Sequence, residues 1–295
     1  MILLTGATGT IGRAVLRRLT DAGSEPVRCL VRDPRRLGAD RVRVQLVLGD
    51  LADPGAFRNA LRGVHTVIHL GASIRDQPSG SLETLNGLAT VRLLRAAERA
   101  GASRFVFFSA MGASAQSGAR FMRSKARAAA AVRASALHST VFAPSIVYTP
   151  GDPWLSLLER LSLLPAMLVA GDGRAVYQPI WAEDVADCVV AALERPGADP
   201  HREFALSGPQ SLSYDDIVRA ALLPLGRSRP LLHVPLPLVR AVLAGGERVM
   251  GPAAPATWEE ARLMEESMTS SRGTADAEAL GVNPLRMSAV LGSPA

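Results

Sequence analysis

The chain has 295 residues, of which 48% are hydrophobic and 20% are charged. This composition excludes an intrinsically disordered chain, and glycine and proline follow no period, which excludes a collagen-like fibre. The net charge of +6 would suit a polyanion. However, the arginines are interleaved with acidic residues and aromatic residues are few, so we expect no nucleic-acid partner.

No apolar run reaches the length of a membrane span, and no basic stretch precedes the apolar first residues. We therefore expect no membrane span and a cytoplasmic location. The two cysteines, Cys29 and Cys188, are too few for a disulfide framework and are interpreted as core residues. The histidines show no metal-ligand spacing with one another or with a cysteine, so we expect no metal.

Strand-length apolar runs alternate with helical periods through the first half of the chain. The predicted strands are Met1–Thr5, Pro26–Val31, Arg43–Leu48, His65–Leu70, Arg104–Ser109 and Ser139–Ala143. The predicted helices between them are Thr10–Ala22, Pro54–Leu61, Leu82–Ala100 and Ala119–Ser135. This alternation predicts an α/β fold, with a Rossmann-type, doubly wound parallel sheet of six strands.

After Pro144 the alternation stops, and the remainder mixes helices, short strands and proline-rich turns. The predicted helices here are Trp154–Leu168, Glu183–Leu193, Tyr214–Leu223, Leu236–Val249 and Thr257–Glu265. We predict a first domain over residues 1–150, to which 176–195 returns. Residues 151–175 and 196–295 are predicted to form a smaller C-terminal lobe that covers the substrate.

A glycine-rich turn follows the first strand directly and opens the first helix. It reads Gly6-Ala7-Thr8-Gly9-Thr10-Ile11-Gly12. In this context such a turn binds a dinucleotide pyrophosphate, because glycines let the backbone approach the phosphates and free helix amides donate hydrogen bonds. The predicted contacts come from Gly6, Thr8, Gly9, Thr10, Ile11 and Gly12. The alternative interpretation is a plain tight turn.

The second strand ends at Val31-Arg32-Asp33, twenty residues past Gly12. An acidic residue there would bind a ribose 2′-hydroxyl, whereas an arginine would accommodate a 2′-phosphate. Because Arg32 comes first and Arg36 adds charge, we expect NADP(H) to be favoured over NAD(H). The alternative is that the arginines form a solvated face and Asp33 contacts the ribose.

Further segments carry a family resemblance. They are Gly49-Asp50-Leu51, Ile68-His69-Leu70-Gly71-Ala72, Pro144-Ser145-Ile146-Val147, Tyr177-Gln178-Pro179-Ile180 and Leu206-Ser207-Gly208-Pro209. Together with the glycine turn they make the whole chain resemble an atypical or extended short-chain dehydrogenase/reductase. The resemblance is to the NmrA-like branch, which includes the accessory-subunit type of respiratory complex I.

The resemblance implies further cofactor contacts. In such families the Asp of the Gly-Asp-Leu segment approaches the adenine, the turn after strand four lines the ribose, and the Pro segment meets the nicotinamide. Carried over, these residues are Asp50, Leu51, Gly71, Ala72, Pro144, Ser145 and Ile146. Ser109, at the end of the fifth predicted strand, is expected to line the same site.

The family's catalytic pair is a tyrosine followed four residues later by a lysine. Here these positions hold Phe121 and Lys125, so the lysine is present and the phenolic acid is missing. The usual catalytic serine is also replaced, by Met111. Lys125 is the only lysine of the chain, and every other cationic position except the histidines is an arginine. We therefore expect Lys125 to bind the nicotinamide ribose rather than to lie on a solvated helix face.

Tyr148 follows the segment expected at the nicotinamide, so its phenol is a candidate replacement acid. The alternative is that Tyr148 packs in the lobe. His69 invites a catalytic role as well, but at the end of a buried strand we expect it to pack or to form local hydrogen bonds.

If some of the lobe's apolar residues face the cofactor, they favour a small hydrophobic molecule as substrate; the alternative is that they pack in the core. Three functions stay open: an NADPH-dependent reductase, a non-catalytic NADP(H)-binding sensor or accessory subunit, and a non-redox isomerase or cyclase. A homodimer through the helices that flank Phe121 is a further option carried by the resemblance. We favour the reductase, because loss of one general acid lowers a rate without abolishing the chemistry.

Overall fold

The computed structural model describes residues 1–23, 25–195, 197, 199–251, 254 and 256–292. Its centre is a seven-stranded parallel sheet in the order β11-β6-β5-β4-β1-β2-β3. The strands of this sheet are β1 (Ile2–Thr5), β2 (Val27–Val31), β3 (Gln45–Leu48), β4 (Thr66–His69), β5 (Arg104–Phe108), β6 (His138–Pro144) and β11 (His201–Leu206). The predicted α/β, Rossmann-type class is confirmed.

Helices cover both faces of this sheet. In chain order they are α1 (Thr10–Ala22), α2 (Gly55–Ala60), α3 (Ala89–Arg99), α4 (Arg120–Arg133) and α6 (Ala182–Glu194). One core packs α1 and α6 against the sheet, and a second core packs α2, α3 and α4 against the opposite face. Because both faces are covered, most strands are almost continuously apolar. Both cysteines are buried in the first of these cores, as expected.

The other elements form short ribbons and helices beyond the sheet. The short strands are β7 (Val147–Tyr148), β8 (Met167–Ala170), β9 (Val176–Tyr177), β10 (Ile180–Trp181), β12 (Leu212–Ser213) and β13 (Leu231–Val234). The helices are α5 (Pro153–Leu161), α7 (Tyr214–Leu222), α8 (Leu236–Met250), α9 (Trp258–Leu263), α10 (Ala275–Ala279) and α11 (Met287–Leu291). A third core joins these elements to the carboxyl edge of the sheet.

Two sequence-based predictions of elements were wrong. The helix predicted over Trp154–Leu168 ends at Leu161, and Met167–Ala170 is a strand paired with β13. Pro165 explains the break, because it cannot donate to a helix and restricts the residue before it. Six strands were predicted, but His201–Leu206, within the predicted lobe, is a seventh strand beside β6. Its sequence, His-Arg-Glu-Phe-Ala-Leu, is not a continuous apolar run, so it lacks the signal by which the first six strands were predicted.

Among the described residues, no helix is long and apolar enough to cross a membrane. The carboxyl ends of the parallel strands meet at one edge of the sheet, where the chain reverses its strand order between β1 and β4. Open α/β sheets bind their ligands at such an edge. The site therefore starts from the loops that follow β1, β2, β4 and β5.

Candidate functional site

The glycine turn after β1 is closed so tightly that two of its glycines have no room for a side chain. Gly6 has a positive φ of 75°, and a Cβ there would lie 2.6 Å from the backbone of Leu70 and Gly71. A Cβ on Gly12 would lie 2.0 Å from the carbonyl oxygen of Gly6. Gly9 differs, since its Cβ would meet nothing closer than that same oxygen at 3.4 Å.

The first turn of α1 offers free backbone donors. Gly9 is the N-cap and supplies no side-chain hydrogen bond, and α1 carries no acidic residue in its first turn. Within the described part of the chain, the amides of Thr10, Ile11 and Gly12 donate to no backbone or side-chain acceptor. Unpaired amides and the positive end of the helix dipole together favour an anion such as a phosphate.

The end of β2 presents a cluster of arginines. Arg32 is 58% exposed and its guanidinium lies 3.8 Å from the Asp50 carboxylate. Arg13 of α1 donates to the carbonyl oxygen of Arg36 at 3.1 Å, which ties the loop after β2 to the glycine turn. The Asp33 carboxylate accepts the Arg35 amide at 3.0 Å and caps the short 3-10 segment that follows. One of its two carboxylate oxygens, Oδ1, is thus engaged within its own loop.

The ends of β1 and β4 are joined by a buried hydrogen-bonded chain. Thr5 Oγ1 lies 2.7 Å from His69 Nδ1, and His69 Nε2 lies 2.9 Å from Thr90 Oγ1. The Thr90 hydroxyl donates to the carbonyl oxygen of Asn86 at 2.6 Å. Burial, together with the charge of Lys125, lowers the pKa of His69 to about 3. His69 is therefore a neutral, locally hydrogen-bonded residue, as predicted.

Gly71 brings two predicted cofactor contacts together. A Cβ at Gly71 would lie 2.2 Å from Leu51 Cδ1, so the loop after β3 closes directly on the loop after β4. The Asp50 carboxylate accepts the Ala52 amide at 2.9 Å, which shapes that loop. Gly71 is buried and Ala72 is exposed, so the chain emerges from the sheet at this point.

Lys125 is buried in the sheet side of α4, with only 3% of its surface exposed. Its Nζ donates to the carbonyl oxygen of Phe108 at 2.6 Å and lies 5.0 Å and 5.7 Å from the ring centroids of Phe107 and Phe121. Within the described residues it forms no salt bridge. Burial lowers the pKa of its ammonium to about 7. An amine in this state can hold or release a proton near neutral pH.

No hydroxyl stands where the family's acid would be. On the same helix, the ring of the half-buried Phe121 lies 5.7 Å from Lys125 Nζ. Met111, at the position of the usual serine, is buried, and its amide donates to the carbonyl oxygen of Pro144. Ser109 is 8% exposed, and its amide donates to the carbonyl oxygen of Phe142.

Tyr148 is fully buried, and its phenolic oxygen has no hydrogen-bond partner among the described residues. Burial raises the pKa of this phenol well above its usual value, and the Asp184 carboxylate raises it further. Both effects disfavour release of a proton near neutral pH. The surroundings of Tyr148 therefore give little support to its predicted role as a replacement acid.

The segment predicted to meet the nicotinamide also anchors the lobe. The Ser145 hydroxyl donates to the carbonyl oxygen of Met268 at 2.7 Å and accepts the Gln178 amide at 3.0 Å. The Ser145 amide donates to the carbonyl oxygen of Leu206. Pro144 and Ser145 are buried, whereas Ile146 is half-buried. The polar atoms of Ser145 thus have protein partners, and its hydroxyl is committed to joining lobe and sheet.

Two arginine contacts at this edge were not predicted. Arg75, in the loop after β4, makes a bidentate salt bridge with Glu260 of α9 and donates to the carbonyl oxygen of Ala254. Arg120, at the start of α4, binds Glu83 and Asp76 and lowers the pKa of Glu83 to about 2. A single sequence carries no signal for contacts between residues so far apart. They hold α4, the loop after β4 and the lobe together.

The site thus has the parts that a dinucleotide requires. The glycine turn leaves backbone space that side chains would fill, and the first turn of α1 offers free amides. A phosphate-bearing group fits these donors, because the first turn of α1 carries no acidic residue and Arg13 lies against the glycine turn. Among the described residues, no cluster of three or more His, Cys, Asp or Glu side chains could hold a metal ion.

Comparisons with known proteins agree with this geometry. A model of a family described as NAD(P)H-binding matches residues 6–196. The chain is 34% identical to a (4-alkanoyl-5-oxo-2,5-dihydrofuran-3-yl)methyl phosphate reductase of Streptomyces griseus subsp. griseus, over 72% of this chain and 70% of the relative. It is 27% identical to the mitochondrial NADH dehydrogenase [ubiquinone] 1 alpha subcomplex subunit 9 of Arabidopsis thaliana, over 81% of this chain but only 61% of that subunit.

The fold has solved counterparts as well. An NADPH-dependent quinone oxidoreductase from Escherichia coli, solved with NADPH, superimposes with a TM-score of 0.76 over 99% of this chain and 98% of that one. Its sequence is 16% identical, so this likeness shows the fold alone. The family match, in contrast, covers more than half of the chain and includes the glycine turn, β2, β4 and Lys125. The chain belongs to the NAD(P)H-binding family, whose members similar to it include reductases.

Proposed function

We propose that the protein is an NADP(H)-dependent reductase that acts on a small hydrophobic molecule without the usual catalytic tyrosine. The observation that carries the proposal is the burial of Lys125, the only lysine of the chain, at the carboxyl end of β5, two strands from the strand that carries the glycine turn. A buried amine with a single carbonyl partner costs stability. Such a cost is expected where a residue is kept for binding or chemistry.

In this proposal the backbone and the arginines hold the cofactor. Amides of Thr10, Ile11 and Gly12 bind the pyrophosphate, with Gly6, Thr8 and Gly9 shaping the turn. The Gly9 amide, which the sequence placed among the cofactor contacts, instead donates to the Gly6 carbonyl oxygen at 3.0 Å. Arg32 and Arg36 bind the 2′-phosphate. The adenosine and nicotinamide contacts are those of the resemblance: Asp50, Leu51, Gly71, Ala72, Ser109, Pro144, Ser145 and Ile146. The nicotinamide, when bound, supplies or accepts the hydride.

The preference for NADP(H) is supported by the exposed guanidinium of Arg32 at the end of β2 and by Arg36, whose carbonyl oxygen is tied to Arg13 of α1. We expect Arg32→Ala to lower NADPH affinity by about tenfold and to leave NADH affinity unchanged, because only NADPH carries the 2′-phosphate. Calorimetric titration with both nucleotides measures this. Arg41→Ala, which removes an exposed charge nine residues along, serves as the control. Equal losses for both nucleotides would contradict the assignment.

The proton chemistry rests on Lys125, because its lowered pKa of about 7 lets Nζ hold or release a proton near neutral pH. Its proposed roles are to orient the nicotinamide ribose and to provide a local proton. Tyr148 keeps its predicted role as a proton donor only if Tyr148→Phe lowers turnover.

Phe121→Tyr tests whether the scaffold is a reductase. The new phenol would stand beside Lys125, whose charge lowers a phenol pKa, so we expect carbonyl or quinone reduction with NADPH to rise by about tenfold or more. The double variant Phe121→Tyr/Lys125→Met should lose this gain. Activity is measured by NADPH oxidation over a panel of quinones and ketones.

A second candidate is a non-catalytic NADP(H)-binding sensor or accessory subunit. It is favoured by the loss of both the tyrosine and the serine, and by the links through Ser145 and Arg75 between the site and the lobe. A sensor would bind NADPH and stay inert in wild type and in Phe121→Tyr. A non-redox isomerase or cyclase would instead turn over a substrate without oxidising NADPH.

A further inference from the structure

Helix α8 exposes an apolar stripe to solvent. It is 15 residues long, and none of its residues is buried. Leu238, Val242, Gly245 and Val249 follow one another at spacings of four, three and four, which places them on one face of the helix. The three larger side chains are 56%, 65% and 86% exposed. Within the described part of the chain nothing covers this face, which is unusual for a helix of a globular protein.

The ribbon of β8 and β13, which leads directly into α8, exposes apolar side chains as well. Leu168 and Leu232 are register partners in the ribbon of β8 and β13, and both side chains are more than half exposed. Leu163 is more exposed still, and the loop it belongs to is fixed to the same ribbon by Arg229, which donates to the carbonyl oxygens of Ser162 and Leu164. We name the set the apolar lobe surface: Leu163, Leu168, Leu232, Leu238, Val242 and Val249.

The charges within the two chain segments that carry this surface are almost all of one sign, and Asp215 of α7, from outside them, pairs with His233 of β13 at 3.0 Å. Residues 160–170 and 223–250 contain five arginines and a single acidic residue, Glu247. Glu247 is half-buried and accepts the Trp258 amide, so it does not face outward. Arg160 and Arg248 are exposed and, in the described part of the chain, form no salt bridge. Arg227 and Arg229 donate to backbone carbonyl and serine hydroxyl oxygens, so these contacts do not neutralise their positive charge.

Apolar side chains flanked by uncompensated arginines match the surface of an anionic bilayer. Leucine and valine side chains enter the boundary between head groups and acyl chains, while arginines reach the phosphates. A second copy of this chain fits less well, because a symmetric contact would set arginines against arginines. We propose that the apolar lobe surface docks the protein onto anionic lipid membranes without spanning them. This inference does not depend on the proposed reaction.

Cosedimentation with vesicles tests the proposal. Wild-type protein should sediment with vesicles of phosphatidylcholine and phosphatidylglycerol, should be released by salt, and should stay in solution with phosphatidylcholine alone. Leu238→Glu/Val242→Glu should lower the partition coefficient by at least about tenfold. Arg160→Gln/Arg248→Gln should lower it by about fivefold for each arginine removed. Val42→Glu, at an 82% exposed valine of the sheet domain, should change nothing.

NADPH binding and thermal unfolding of each variant verify that it is folded. Equal binding to both vesicle types, or no binding of wild type to either, would overturn the proposal. So would a stable wild-type dimer that Leu238→Glu dissociates, since a second copy would then cover the stripe. Retained NADPH binding with no vesicle binding would refute the docking surface while leaving the proposed reductase intact.

Discussion

Lys125→Met is expected to make the fold more stable at pH 6 while weakening NADPH binding. Burial lowers the pKa of Lys125 from 10.5 to about 7, and each pKa unit corresponds to about 1.4 kcal/mol. The charged amine therefore costs on the order of 5 kcal/mol at and below pH 7. Methionine avoids this cost but leaves the Phe108 carbonyl oxygen without its partner, which costs about 1–3 kcal/mol. The net expectation is a gain of roughly 2–4 kcal/mol.

The gain should depend on pH in a defined direction. Between pH 7 and 10.5 the unfolded chain keeps the lysine proton and the folded chain releases it, so wild-type stability rises with pH in this window. The advantage of Lys125→Met is therefore full below pH 7 and shrinks above it, until near pH 10.5 only the cost of the unpartnered Phe108 carbonyl oxygen remains. Urea unfolding at pH 6 and pH 9.5 measures it. Arg127→Met, at an exposed cation of the same helix, should show no such change. A variant equally destabilised at both pH values would refute the buried charge.

In contrast to stability, the NADPH affinity of Lys125→Met should fall. Without the Lys125 amine the nicotinamide ribose loses its proposed donor, and we expect NADPH affinity to fall by at least about tenfold. A gain in stability together with a loss of binding identifies a residue kept for function. Calorimetric titration at pH 7 measures the binding. Unchanged NADPH affinity would place Lys125 outside the cofactor site.

Gly12→Ala is expected to lower the stability of the fold, whereas Gly9→Ala is expected to lower NADPH affinity. A Cβ at Gly12 would lie within 3 Å of three backbone atoms, so the turn must distort, and we expect a loss of about 1–3 kcal/mol or more in unfolding free energy. At Gly9 the protein leaves space, so stability should hold. The added methyl would instead stand where the backbone must approach a pyrophosphate, and NADPH affinity should fall by at least about tenfold.

Thermal unfolding and calorimetric titration of both variants separate the two effects. Gly23→Ala is not a suitable control, because Gly23 has a positive φ. Gly87→Ala is suitable, since its φ is not positive and no atom lies within 4 Å of the added Cβ. If Gly9→Ala binds NADPH as wild type does, the glycine turn is not the pyrophosphate site.

The first six strands of the main sheet and the helices between them could be predicted well because their sequence signals are local. Strand, glycine turn and helix follow one another within the first 22 residues, and each later strand is a short apolar run. Lys125 could be singled out because it is the only lysine among many arginines. Its burial and its single carbonyl partner required the structure.

The lobe could be predicted less well because long-range pairing decides its elements. β11 joins the main sheet although some sixty residues separate it from β6, and Pro165 converts the end of an apolar helical run into strand β8. The Ser145 hydroxyl could not be assigned either, since its partner Met268 lies 123 residues away. The predicted division into domains, the homodimer and the cytoplasmic location stay predictions.

The most direct test of the account uses the single lysine. Protein labelled with ¹³C-lysine should give one side-chain signal, which reports on Lys125 alone. If Lys125 is a buried amine in the cofactor site, this signal titrates near pH 7 and shifts when NADPH is added. A signal that titrates near 10.5 and does not respond to NADPH would mean that Lys125 is a solvated cation away from the cofactor, and it would contradict the central claim.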